Sequence, residues 1–391
     1  MLYIYDSRYK EALDDHYRAI AAVLELRKRG ISPKLIKNKD DIKKLRGDYV
    51  DTLFIPFSFS DDMHEILIEC NRKKIPVITT HSYSDYFWDC EYSTISRNIK
   101  KCMRMILSYI RYNTKPEPKI AYFGTTPLAY SDRIKINTIY SIYSVMEYND
   151  IYFNNSCFSD CFESFYANRE KYDAVICANS YIAIAFIKQM NERDPECVKR
   201  IKTVSFLETK ISNLYYTSVT IAAYNEDSIY DSAVKAYRMV NKNDYISSVN
   251  IELDNEMLIR ESSGGKMPPN DLFYNLVPAY EYERSFNYPK QNKDFTDYVR
   301  DPYLKNIVFI ERLLSGADIT DLKIIAAFLK GAKNNDVAEQ LFISLQTVHY
   351  RSQSMFKVLE TKNKSCFINI ILEYISPAKL NEYIKELEEQ K

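Results

Sequence analysis

Residues Asp321–Leu359, DLKIIAAFLKGAKNNDVAEQLFISLQTVHYRSQSMFKVL, read as three short helices joined by a tight link and a three-residue turn. Ile324, Ile325, Phe328 and Leu329 recur at helical spacing and define one apolar face. Asp318 can cap this first helix, with Asp321 three residues on, near the positive end of the helix dipole. Gly331 supplies the C-terminal stop. The second helix carries Val337, Ala338 and Leu341, and Ala338 is small where two crossing helices must approach. Phe342-Ile343-Ser344 makes the turn, with Ser344 as the N-cap of the third helix. There Val348, Met355, Val358 and Leu359 can face inward, which leaves Gln346, Thr347, His349, Tyr350, Arg351 and Gln353 outside. A turn-linked helix pair ending in a polar, aromatic and basic helix has the shape of a DNA major-groove reader. Gln and Arg can each make two bonds to a base edge, and Thr and Tyr can bind phosphate.

Gly331, Val337-Ala338, Leu341, Ile343-Ser344, Thr347-Val348 and Leu359 resemble the LuxR-type (GerE) DNA-binding domain, without a gap over about forty residues. That family has a Gly after the first helix, an Ile-Ala pair, a Leu-Gly-Ile-Ser turn, a Thr-Val pair and a closing Lys-Leu. Three positions depart from it. Phe342 stands at the turn Gly, Val358 at the usual Lys, and Asp321 at the usual Glu of the first helix. The resemblance implies that Gln346, Thr347, His349, Tyr350 and Arg351 touch double-stranded DNA, with Lys333 and Ser344 completing the contact set. It also implies a fourth helix at about Lys364–Ile375 that makes dimer contacts, and hence a homodimer. Between Lys330 and Lys364 there are six Lys/Arg and three Asp/Glu, a local net charge of +3. Phosphate attraction per monomer would be modest and would lean on dimerisation.

The whole chain of 391 residues is long enough for two or three domains. Lys+Arg and Asp+Glu both number 53, so any basic surface is local. No run of eighteen apolar residues suggests a membrane span, and the charged N-terminus MLYIYDSRYKEALDD is not a secretory signal. The eight cysteines are scattered, and only Cys157 and Cys161 lie close in sequence. They read as reduced thiols of a cytoplasmic protein, with no metal site and no cofactor.

Residues 1–262 alternate short apolar runs with amphipathic stretches. Strands are expected at Leu2–Tyr5, Pro33–Ile36, Thr52–Pro56, Pro76–Thr80, Lys119–Gly124, Ala174–Ala178 and Thr203–Leu207. Helices are expected at about 9–29, 61–73, 94–112, 131–147, 159–170, 180–192 and 226–241. Such alternation predicts α/β architecture with parallel sheets. There are too many strands for one short sheet, so two lobes are expected. The first would end near Tyr112 and the second start near Lys119, with Asn113–Lys119 (NTKPEPK) as hinge.

This pattern resembles the type I periplasmic-binding-protein fold used by the sensor domains of LacI-type repressors. Asp132-Arg133 matches the family's Arg opening a helix of the second lobe. Tyr172–Asn179 with Ala183 matches its Asp-Ala-Ile-Cys-Asn strand and turn. Thr203–Phe206 is similar to its Val-Gly-Phe-Asp strand, and Thr217-Ser218-Val219 to its Thr-Thr-Val return segment. Leu258–Ser262 (LIRES) closely matches its closing Leu-Val-Arg-Glu-Ser. The resemblance implies three crossings between lobes, with residues near 220–245 returning to the first. Ser180 stands where an Asp often follows the turn Asn, Ser205 where the strand has Gly, and Leu207 where it has Asp. These changes argue against assuming a sugar ligand, although Glu208 is adjacent.

Ligands of two-lobe α/β proteins bind in the cleft beyond the strand C-termini. The expected ligand set for a small-molecule effector is therefore Asp6, Arg8, Ser58, Tyr83, Asp132, Arg133, Asn179, Ser180 and Glu208. Arg133 is the preferred donor, since its fork suits a carboxylate, phosphate or hydroxyl pair. For Asn179 and Ser180, plain helix capping is favoured over ligand contact.

A receiver domain, the other common partner of a LuxR-type module, would need a phosphorylatable Asp after its third strand, where this chain has Phe57-Ser58. No nucleotide-binding loop, nucleophile elbow or metal-binding helix motif is present, so no enzyme is expected. The expected organisation is a ligand sensor at 1–262, a Pro- and Gly-bearing linker at 263–300, a connector helix at 301–316, a LuxR-type domain at 317–376 and an amphipathic helix at 377–391. That final helix would pack within its domain or across a dimer. The chain thus reads as a ligand-responsive DNA-binding transcription regulator. The alternative is a solute-binding or interaction protein whose helical tail mediates assembly.

Overall fold

A computed structural model describes residues 1–6, 13–56, 63–80, 89–126, 130–142, 147–154, 157–224, 226–242, 246–269 and 298–389. The chain divides into two compact units and passes between them three times. The first comprises Met1–Asn98 and Tyr224–Asn255, the second Ile99–Ala223 and Glu256–Lys391.

The first unit holds six strands: β1 (Leu2–Tyr5), β2 (Lys34–Ile36), β3 (Thr52–Ile55), β4 (Val77–Thr79), β5 (Ser93–Arg97) and, from the returning segment, β11 (Asn250–Leu253). Their order is β11-β5-β4-β3-β1-β2, and every pair is parallel. β3 is buried at all four positions, as befits a central strand covered on both faces. One face packs on α1 (Leu13–Lys28) and α10 (Glu226–Lys242) through Ile4, Ala22, Leu26, Phe54, Ala233 and Ala236. The other packs on α2 (Lys39–Ile42) and α3 (Met63–Arg72) through Leu53, Ile55, Ile66, Leu67 and Cys70.

The second unit repeats this plan. Its strands are β6 (Ile120–Thr125), β7 (Ile151–Phe153), β8 (Ala174–Cys177), β9 (Lys202–Phe206), β10 (Thr220–Ala223) and β12 (Glu256–Leu258), in the order β12-β10-β9-β8-β6-β7. All pairs are parallel except β10–β12. α4 (Ile99–Asn113) and α5 (Tyr130–Ile142) cover one face with Met103, Ile106, Tyr109, Ile136 and Ile139. The other face packs on α6 (Phe158–Tyr166), α7 (Ser180–Arg193) and α9 (Lys210–Leu214); α8 (Pro195–Arg200) precedes β9.

The expected hinge at Asn113–Lys119 is corrected by this division. α4 carries a continuous buried stripe that packs on the second sheet, so the boundary falls at Asn98–Ile99. Five strands escaped the sequence reading: β5, β7, β10, β11 and β12. Two of them are only three residues long, and β11 and β12 carry Asn, Glu or both, so they lack a continuous apolar run.

Six further helices complete the second unit: α11 (Lys305–Gly316), α12 (Ile319–Leu329), α13 (Asn334–Leu341), α14 (Leu345–Val358), α15 (Lys364–Tyr374) and α16 (Pro377–Glu389). Their apolar faces do not close on one another alone. Ile307, Ile310, Leu313 and Leu314 of α11 belong to the same core cluster as Phe186, Ile211 and Leu214 of the sheet's outer helices, and as Phe328, Val348 and Phe367 of the helical domain. Each fully buried side chain of this size contributes on the order of 2 kcal/mol relative to exposure. The contact is therefore a core rather than a loose docking.

Both described ends of the expected linker are also packed. Tyr109 shares a 2.7 Å hydrogen bond with Ser263, and the Asn113 side chain brackets Lys266 by donating to its carbonyl and accepting from its amide, both at 2.9 Å. At the other end Asp301 accepts from the Phe158 amide at the start of α6 (2.8 Å). Residues 270–297, including the apolar Leu272–Tyr280 stretch, lie outside the described residues. No helix among the described residues is long and apolar enough to cross a membrane.

Candidate functional site

The helix-turn-helix is built by its caps. Asp318 accepts from the Asp321 amide (2.9 Å) while Asp321 accepts from the Asp318 amide (3.2 Å), a reciprocal box that starts α12. Gly331, at φ +85°, ends it. Ser344 accepts from the Thr347 amide (3.0 Å) and starts α14. Val348, Ser352, Met355 and Phe356 turn inward, with Ser352 donating to the Val348 carbonyl. Phe356 is a core residue that the sequence reading did not place.

The expected DNA-contact residues divide in two. Gln346, His349 and Tyr350 are exposed on the outer face of α14, and Lys333 and Ser344 are exposed at the N-caps of α13 and α14. Thr347 is half-buried and its hydroxyl is engaged by Ser344 at 2.8 Å. Arg351 sits apart from the exposed set. Its guanidinium donates to Asp318 (2.9 Å) and Asp321 (2.8 Å), which fastens α14 to the start of α12. Burial opposes ionisation of Asp318, but the Asp321 amide and Arg351 outweigh it and hold the carboxyl below its ordinary range. Arg351 is thus placed as an internal strut rather than as an outward fork. The compensating pair of Asp321 and Arg351 was not legible because it joins residues thirty apart.

A second set of contacts ties the helical domain to the second sheet. Glu311 of α11 accepts from the Lys210 (3.2 Å) and Ile211 (2.9 Å) amides at the start of α9, and Ser315 donates to it at 3.0 Å. Lys210 returns a bond to the Leu314 carbonyl (2.9 Å). Burial pushes the Glu311 carboxyl up to about 7, against the pull of those amides. At the far end, the Ser376 amide donates to Leu214, Tyr216 donates to Leu372, and Lys379 donates to Tyr215, Tyr216 and Glu261. Lys188 of α7 pairs with Glu373 at 3.1 Å. The fourth helix of the domain and the C-terminal helix therefore both lean on the sheet's outer helices.

α9 begins just beyond the strand ends where ligand residues were expected. The strand order reverses between β6 and β8, the switch point at which ligands of open α/β sheets bind. Asp132 is buried there and accepts from Lys135 (2.9 Å) and from the Thr126 amide (3.0 Å). Lys135 also donates to the Ala178 carbonyl (3.0 Å) and lies 4.6 Å from the Phe206 ring centroid, so it bridges the ends of β6, β8 and β9. It is absent from the expected set, although it lies one helical turn after Asp132. Arg133 is half-buried on α5. Asn179 caps α7 through the Ile182 amide (3.1 Å) and donates to the Tyr298 hydroxyl (2.9 Å). Ser180 is buried against Thr209 at 3.0 Å. Glu208 is paired with Arg260. Asp132 and Glu208 thus both face internal cations. In the first unit Asp6 is buried at the end of β1. Arg8, Ser58 and Tyr83 lie outside the described residues.

Two other polar clusters lie outside this region. His64, Asp89 and Cys90 bring their donor atoms within 4.8 Å of one another, but the imidazole and the carboxylate are solvent-exposed and face each other at 3.3 Å. At the β7 edge an open depression is lined by Lys119, Asp150, Tyr152 and Tyr172. Its carboxylate already accepts from Lys119 (2.6 Å) and Tyr172 (3.1 Å).

Comparison with known proteins agrees with this division. The model of the luxR family of bacterial regulatory proteins (GerE) matches residues 320–370. Solved structures match the α/β part. A transcriptional regulator, CelR, in complex with cellobiose is 12% identical, with TM-score 0.51, over 67% of this chain and 84% of that one. A transcription regulator from Lactobacillus plantarum is 13% identical, with TM-score 0.51, over 67% and 99%. The transcription regulator CcpA of Lactococcus lactis is 12% identical, with TM-score 0.51, over 67% and 98%. At such identities these likenesses establish the fold alone. No curated protein matches the chain.

The helix-turn-helix and its family match give the chain the architecture of a DNA-binding transcription regulator. Residues 320–370 match the luxR-family (GerE) model, and they accompany an α/β region that shares its fold with these solved transcription regulators.

Proposed function

We propose that this protein is a cytoplasmic, ligand-responsive regulator that binds operator DNA as a homodimer, through α14. Gln346 and His349 read base edges, and Lys333, Ser344 and Tyr350 hold the phosphates. Arg351 serves this contact indirectly, by fixing the pitch of α14 against α12. The effector is a small molecule, and Arg133 and Asn179 at the strand ends of the second unit are its candidate contacts; Asp6, Arg8, Ser58 and Tyr83 stay candidates from the sequence alone. Because Asp132 and Glu208 face internal cations, a hydroxyl-rich ligand is not presumed.

One observation supports the coupling. Glu311 of α11 caps α9, the helix that begins just past the end of β9, so a shift at that strand end is handed directly to the helical domain. The domain boundaries expected at 262, 300, 316 and 376 serve as sequence landmarks, but the mechanical unit in this reading joins the second sheet to the helices. Different effector affinity for the two arrangements would then bias DNA binding.

The test is retention of genomic DNA fragments by the full-length protein and by a Gln346→Ala/His349→Ala double variant. Enrichment of particular fragments by the wild type and not by the variant supports the reading. Equal retention by both, or none at low salt, contradicts it. Deleting residues 317–391 is a poorer test, because it would open the shared core.

A further inference from the structure

We propose that Phe342 is an apolar contact to duplex DNA, seated against the edge of the site that α14 reads. The inference rests on the DNA-binding reading above and adds a residue outside its contact set.

Two observations carry it. Phe342 occupies the left-handed region, at φ +54° and ψ +40°, as the C-cap of α13. A residue with a Cβ is strained there, and Gly is the ordinary occupant. Burial does not offset that strain, since the side chain is 96% exposed. Backbone strain of this kind concentrates at functional sites, and at Phe342 it lies next to the helix that reads DNA in the proposed function.

The surroundings name the partner. Among the described residues from Lys305 to Glu389, the exposed large hydrophobic side chains are Phe342, Leu345 (43%) and Tyr350 (78%). All three lie on the turn or on α14, beside the exposed Gln346 and His349. Phe342 precedes the Ser344 N-cap by two residues, so it lies at the end of α14 that carries Gln346 and His349. Phe is among the side chains that make apolar contact with thymine methyl groups at the groove. A ring at the turn before the N-cap of the groove helix complements donors placed within that helix.

The experiment compares wild type with Phe342→Gly, Phe342→Ala and Phe342→Leu. Affinity is titrated for a duplex enriched from genomic fragments by the wild type, and thermal midpoints are read in parallel. The Gly and Ala variants are expected to bind about tenfold more weakly, roughly one such apolar contact. Leu should recover most of that loss. The Gly variant should melt no lower than wild type, because it relieves the left-handed strain, so its weaker binding cannot be ascribed to unfolding. Gly and Ala variants that bind within twofold of wild type overturn the proposal while leaving DNA binding by α14 intact; a ring reserved for a protein partner would behave this way. A wild type that enriches no duplex overturns the DNA-binding reading itself, and this proposal with it.

Discussion

The two sheets share one plan and differ in what lies on their outer faces. Each runs five parallel strands in the same order, with a returning sixth strand at the edge, parallel in the first sheet (β11) and antiparallel in the second (β12). The first sheet is covered by four helices of its own unit. The second shares its outer core with the whole helix-turn-helix domain. Repeating a fold therefore does not repeat its role. In the proposed function the first unit would supply ligand contacts, whereas the second could supply contacts and also move α14 through the shared core.

Substitutions can break this comparison. Ile310 is fully buried where α11 meets the sheet's outer helices. Ile310→Ala should cost about 2–5 kcal/mol and loosen the second sheet and α12–α14 together, while the first sheet stays protected in hydrogen exchange. An equivalent core change in the first unit, Phe54→Ala, should leave α12–α14 unaffected at early denaturant. If Ile310→Ala loosened the helices alone, the shared core would be only a docking contact.

Acidity sharpens it further. The Glu311 carboxyl is raised from 4.5 to about 7 on folding, so the folded protein holds the extra proton between those values. Stability of the second unit is then greatest below the unfolded value and falls as pH rises through about 7, by roughly 3 kcal/mol at most. Glu311→Gln should flatten that dependence without touching the first unit. A wild type and variant with parallel pH profiles would remove Glu311 from the account. The smallest effect concerns Arg351. Its pairs with Asp318 and Asp321 are partly exposed, so Arg351→Ala should cost about 1 kcal/mol of helical-domain stability. Its DNA affinity should fall because α14 is no longer braced, and Arg351→Lys should recover only part of that, since a single ammonium cannot span both carboxylates. A variant with normal stability and lost specificity would instead make Arg351 a direct reader.

Much of this was legible in the chain. The helix-turn-helix was readable, despite Phe342 at the turn, because its caps and apolar faces agreed: the Asp318 box, the Gly331 stop, the Ser344 cap and the inward Val348 and Met355. Strands β3, β6 and β8 were readable from their apolar residues. The unit boundary was not, because a Pro-bearing stretch at Asn113–Lys119 looks like a hinge, whereas α4 is claimed by the second sheet through side chains spread over a hundred residues. The candidate sites were half legible. Asp132 stood in the expected set, with Arg133 preferred, but Lys135, which neutralises Asp132, shows its role only once the ends of three strands meet. Glu311 gave no signal at all: its partners are backbone amides about a hundred residues away.

The central claim is that the second sheet and the DNA-binding helices open as one body, separate from the first sheet. Native-state hydrogen exchange of the full-length protein in rising denaturant tests it most directly. The account predicts that the slow amides of β8, β9, α11 and α12 converge on one opening free energy, distinct from that of β1 and β3. Helices α11 and α12 that exchange at a much lower free energy than β8 and β9 would contradict it.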